Sequence, residues 1–248
     1  MKKLYEKKPV LFAVLCIVVY VMGCGTLGTC SDSKLLCSAA QTGFEAVLCA
    51  VLLGFAAKQG LLSRWFLQGF RGDGRRMLYL LPLLAAASWN LWGGMAVPAA
   101  PPGEVLLRIL ATGILAPFLE ELIFRGILFR AIARTSKRRG FWWASLGFGI
   151  GHAVNFVFGR GGIETAKQLC YASALGFLFM AVVFAGRSLL PTIIAHILIN
   201  TTAVFSPEEL LGTPFDSIST AVLCGICIVY GIWVLHTADE PLDASPMP

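Results

Sequence analysis

Glu120 and Glu121 stand side by side, with Arg125 four residues on, in a stretch from 115 to 132 that is otherwise almost wholly apolar. At membrane depth an ionisable side chain costs roughly 2.5–3.5 kcal/mol on insertion scales, so three together mark a site rather than an accident of composition. At about 100° per residue, Glu121 and Arg125 share a helix face at the i,i+4 spacing of an ion pair, and Glu120 points a quarter-turn away. Arg125 can then hold Glu121 ionised and rigid, leaving Glu120 to face a cavity and exchange protons. Pro117 removes a helical hydrogen bond just before the pair and can bend the helix there.

Two further apolar segments carry polar groups. One has His152 at the end of Phe148-Gly-Ile-Gly-His152, where Gly147, Gly149 and Gly151 thin the surface and let a neighbour come close. The other has His196 and Asn200, again i,i+4 and so projecting from one face. A glutamate with two histidines can activate a water: the carboxylate takes its proton, and imidazole or amide groups stabilise the oxyanion at an attacked carbonyl. The same Glu120, His152 and His196 could instead hold zinc with one position open, although no His-Glu-x-x-His is present. Both readings stand at this point. Asn155, Thr192 and Thr201 read as helix-to-helix glue.

The elements that must carry these groups are membrane helices. Hydrophobic residues make up 57% of the 248, charged residues 14%, and mean hydropathy is +0.75. Spans of about 20 residues can be placed near 10–28, 35–57, 77–97, 105–133, 141–158, 169–186, 189–205 and 218–236, which predicts an all-α bundle of eight transmembrane helices in one domain, 1–248. Basic runs at 2–8, 58–76 and 134–139, with Arg187, outweigh Lys34, Arg108, Arg160 and Lys167 on the other side, so both termini are expected in the cytoplasm. The net charge of +6 is accordingly a mark of topology, and no nucleic-acid partner is expected. The first span reads as an uncleaved signal anchor. Cys24, Cys30 and Cys37 border the first external loop and could form a disulfide, whereas Cys224 and Cys227 lack the neighbours of a metal or redox site.

Taken together, Glu120-Glu121-Leu-Ile-Phe-Arg125, Phe148-Gly-Ile-Gly-His152 and His196-Ile-Leu-Ile-Asn200 resemble, in order, the three signatures of the CAAX prenyl endopeptidases and their bacterial relatives, the CPBP or Abi intramembrane proteases. The resemblance covers roughly 103–205. It implies an endopeptidase acting within or beside the membrane, with Glu120 as water-activating base, His152 as a second water-positioning group, His196 with Asn200 as the oxyanion-stabilising pair, and Glu121 and Arg125 in support. The short chain, without an evident organellar presequence, suits a prokaryotic plasma-membrane relative, and the expected substrate is a membrane-associated protein or peptide, with no cofactor or, in the alternative, zinc. A rhomboid-type serine protease is disfavoured because Ser173 lacks a Gly-x-Ser-x-Gly setting. A non-proteolytic immunity protein, scaffold or small transporter is the competing class, although the repeated halves usual in transporters are not visible.

Overall fold

The computed structural model describes residues 1–68, 80–159, 161–238 and 241–242. Among these every regular element is helical: α1 (Lys2–Lys7), α2 (Pro9–Gly28), α3 (Lys34–Lys58), α4 (Leu80–Ala87), α5 (residues 102–133), α6 (Lys137–Gly151), α7 (Gly162–Gly186), α8 (Leu190–Ala203) and α9 (Pro214–His236). The starts follow local chemistry. Ser33, Ser136 and Thr213 each accept a backbone N–H from the first turn of α3, α6 and α9, and Pro9, Pro191 and Pro214 sit where a missing N–H does no harm.

Four helices, α2, α3, α7 and α9, are long and apolar enough to cross a bilayer, and α8 is a shorter apolar one. The chain is an integral, multi-pass membrane protein. Its outward faces agree: Val10, Leu11, Val14 and Val18 on α2 and Val229, Ile232 and Trp233 on α9 are exposed apolar residues of the kind that meet lipid. The third expected span differs. Helix α4 stops at Ala87, a single 3₁₀ turn follows at Trp89–Leu91, and no helix covers 92–97, while 77–79 lie outside the described residues. Gly93, Gly94 and Pro98 interrupt the apolar run there, and Gly94 takes a left-handed φ of 93° that ends the helical path. The expected Arg160 charge and much of the 58–76 run also lie outside the described residues.

Helix α5 is the axis of the site. It packs against α2 and α3 on one side and α6 and α8 on the other, and α7, buried along its second half, lies behind α6 and α9. Two π-helical stretches, Ile109–Leu115 and Leu122–Leu128, flank the short α-helical piece Ala116–Glu121 that contains Pro117. Proline has no N–H to give to the carbonyl of residue 113, and the wider winding just before it absorbs that lost bond. Contact between α6 and α7 is set by small residues. A Cβ at Gly149 would strike the Ser173 hydroxyl, and one at Gly176 would strike the Ser145 carbonyl, so these backbones meet closely, as membrane helices do where side chains are absent.

Candidate active site

Four helices bring the polar groups together. On α5, Glu121 and Arg125 are fully buried and form an ion pair, Nη1 to Oε1 at 3.0 Å. The guanidinium also lies 4.3 Å above the Phe148 ring and 5.7 Å from that of Phe179. Glu121 Oε1 is shared, because His196 Nδ1 from α8 reaches it at 3.0 Å. A carboxylate can only accept in that contact, so Nδ1 carries the proton and Nε2 is turned the other way. There it meets Glu120 Oε2 at 3.5 Å, ion-pair range. The other oxygen of Glu120 accepts from the hydroxyl of Tyr20 on α2 at 2.7 Å.

Glu120 therefore does turn away from Arg125, and its side chain keeps 14% exposure where that of Glu121 keeps none. It lines a cavity of about 230 Å³ together with Tyr20, Cys24, Gln41, Phe124, Phe148, His152 and Asn155. His152 stands where α6 gives way to a 3₁₀ turn, its Nδ1 3.0 Å from the Phe148 carbonyl. A carbonyl accepts only, so a neutral His152 has its proton on Nδ1 and presents the lone pair of Nε2. The cavity is thus lined by both a carboxylate and an imidazole.

Asn200 is placed differently from the expectation that it would converge with His196. Its amide donates to the Thr112 carbonyl at 3.0 Å, in the first π stretch of α5, and neither Asn200 nor His196 is among the residues lining the cavity, which His196 adjoins only through Glu120. That stretch leaves carbonyls without their usual helical partners, and the amide is drawn to one of them. Asn155 donates to Gln168 at 2.8 Å, tying the end of α6 to α7, as glue would. Ser173 is packed beneath Gly149.

Zinc would need donor atoms of Glu120, His152 and His196 at about 2.0–2.2 Å from one point. Among the described residues no three His, Cys, Asp or Glu side chains gather in that way, and His196 is engaged on both ring nitrogens by the two glutamates. The donor set does not fit a zinc centre in this geometry.

A third intramembrane carboxylate escaped the sequence reading. Glu45 on α3 is wholly buried and accepts from Gln41 at 2.9 Å and from the Cys24 thiol at 3.2 Å, while its Oε2 has no partner. Cys24 is thereby drawn into the site and away from Cys30 and Cys37, whose sulfurs lie 3.7 Å apart as thiols. The signal was a lone Glu at the centre of an apolar span, the same signal that singled out Glu120. Glu45→Ala strips Gln41 and Cys24 of their acceptor and is expected to destabilise the protein by about 1–3 kcal/mol, whereas Glu45→Gln keeps an acceptor and should melt close to wild type in detergent. Equal melting of the two variants would show that these bonds carry no stability.

Comparison with known proteins finds similarity over the part of the chain that carries these residues. The profile of the type II CAAX prenyl endopeptidases, Rce1-like, matches residues 102–202, a segment that holds Glu120, Glu121, Arg125, His152, His196 and Asn200. Over this segment the chain is similar to the type II CAAX prenyl endopeptidases. A Bacillus subtilis (strain 168) protein named “Putative membrane peptidase YdiL” is 29% identical over 160 residues, 60% of this chain and 58% of that protein, so the match spans less than two thirds of the relative's length. The matched segment coincides with α5 to α8, the helices that carry the motif residues, while Tyr20 and Glu45 are supplied by α2 and α3, outside it.

Proposed function

We propose that this protein is a member of the CAAX prenyl endopeptidase family and an intramembrane endopeptidase that hydrolyses a peptide bond of a membrane-associated protein or peptide with a water activated by Glu120. The observation that carries the reading is the unequal treatment of two neighbouring glutamates: Glu121 is locked by Arg125 and His196, and Glu120 opens into a cavity that His152 also lines. In the first step Glu120 takes a proton from the water as its oxygen adds to the scissile carbonyl. His152, through Nε2, orients that water. His196, whose Nδ1–H is held by Glu121, can donate through Nε2 on the Glu120 side only as the imidazolium, and in that form it offsets the negative charge developing on the carbonyl oxygen; Glu120 then returns the proton to the leaving amine. Asn200 joins the oxyanion site only by leaving the Thr112 carbonyl, which makes it the weaker member of that pair. We place the protein in a prokaryotic plasma membrane with both termini in the cytoplasm, on the distribution of Lys and Arg.

The test is cleavage of a peptide library by the purified protein, with and without chelator, beside elemental analysis of the active fractions. Turnover unaffected by chelator and without stoichiometric zinc is expected. One zinc per chain, needed for turnover and lost in His152→Ala and His196→Ala, would overturn the water-glutamate mechanism. If wild type cleaves nothing in the library and in a membrane-protein substrate set, the non-proteolytic class is the better reading.

A further inference from the structure

A glutamate side chain turns about several single bonds, so Glu120 serves as a base only while something keeps its carboxylate in one orientation. Two side chains touch it, from helices on either side of α5. The hydroxyl of Tyr20 on α2 donates to Oε1 at 2.7 Å, and His196 Nε2 on α8 stands 3.5 Å from Oε2. The contacts are unequal. With its Nδ1–H on Glu121, His196 donates toward Glu120 only as the imidazolium, and that same Nε2–H is the one a substrate carbonyl oxygen would draw on. A phenol donates whichever form the imidazole takes. Tyr20 is itself fixed by the buried face of α2, where Phe12, Cys16 and Tyr20 follow one another turn by turn, and Cys24, one turn on, donates to buried Glu45 at 3.2 Å.

We propose that Tyr20 is a positioning residue for the hydrolysis: it holds Oε1 of Glu120, so that Oε2 stays aimed to take the proton of the water when His196 turns its own N–H to the substrate. This rests on Glu120 being the base. A hydrogen bond to an ionised acceptor is roughly twice as strong as one between neutral groups, which suits the task of holding a carboxylate against the pull of a passing cation or water. Tyr20 lines the same cavity as Glu120 and His152, so the bond is made at the wall the substrate would meet. Gluing α2 to the bundle does not require the hydroxyl, because Phe12, Ala13 and Cys16 bury the same helix without it. Removing the hydroxyl therefore leaves the helix in place and releases only the carboxylate. The group comes from outside residues 102–202, so half of the setting of the base is supplied by a helix that the matched segment does not include.

The experiment compares Tyr20→Phe with the wild-type full chain in detergent by steady-state cleavage of a peptide that wild type accepts, by melting, and by infrared difference spectra. Tyr20→Phe keeps the ring, so it should melt close to wild type. Its kcat is expected to fall by about 10- to 100-fold with KM unchanged, because alignment in the transition state is lost and substrate binding is not. The carboxylate stretch assigned to Glu120 by its disappearance in Glu120→Gln should shift in Tyr20→Phe. Cys16→Ala is the packing control: it loosens the same face of α2 outside the cavity lining and should lower melting without moving the band or kcat. Wild-type kcat or an unmoved band in Tyr20→Phe overturns the proposal, and Glu120 stands as the base if Glu120→Gln is inactive in the same assay. A raised KM at unchanged kcat overturns it too, making Tyr20 a substrate contact. Absence of cleavage by wild type removes the hydrolytic reading and the catalytic role of Tyr20 with it.

Discussion

Glu120→Gln is expected to abolish peptide cleavage, by about 10²–10⁴-fold, the usual contribution of a general base, while membrane insertion and melting stay near wild type. The amide keeps the shape and still accepts from Tyr20 through its carbonyl oxygen, so the bond at 2.7 Å can survive the change. What it loses is the ability to take a proton. The neighbouring substitution makes the control: Glu121→Gln leaves buried Arg125 without its counter-charge and should reduce stability along with rate. Single-turnover cleavage and melting curves measured on both variants separate the roles. Wild-type turnover in Glu120→Gln would remove the mechanism, and an equal loss of stability in both would mean that Glu120 is a structural residue.

What could be read from the sequence depended on whether a residue's partners were near it along the chain. Glu121 and Arg125 were paired by helical spacing alone, and the 3.0 Å contact survives even though π winding begins directly after Glu121. The direction of Glu120 followed from the same geometry. The partners of Glu120 did not: Tyr20 is 100 residues away on α2, and a tyrosine in an apolar span has no feature that distinguishes a lipid-facing from an inward hydroxyl. Asn200 shows the opposite failure. The i,i+4 spacing correctly placed it on the same side of α8 as His196, but one turn of helix is 5.4 Å, enough for the two side chains to serve different neighbours. The end of α4 at Ala87 was hidden because hydropathy averages over Gly93, Gly94 and Pro98, whereas a helix must be continuous to span.

Arg125→Ala should lower stability more than any other single change in the site, and the reason is the number of groups that one guanidinium holds. It neutralises Glu121, stacks over Phe148 at 4.3 Å and lies against Phe179, all in a region with no solvent exposure. Breaking a buried pair typically costs about 3–5 kcal/mol, because the remaining charge has nothing to offset it. His196 blunts the loss, since its Nδ1–H still donates to Glu121 Oε1, but a single imidazole cannot replace both the ion pair and the volume that Arg125 fills between two rings. Arg125→Ala with Glu121→Gln removes the stranded charge and leaves only the cavity, so the double variant should melt above Arg125→Ala and below wild type. Arg125→Met with Glu121→Gln fills much of that volume and should recover more. A ranking in which the double variants are no more stable than Arg125→Ala would show that the guanidinium acts through packing alone and that Glu121 is uncharged in the folded protein, which would also leave His196 without the carboxylate that fixes its tautomer toward Glu120.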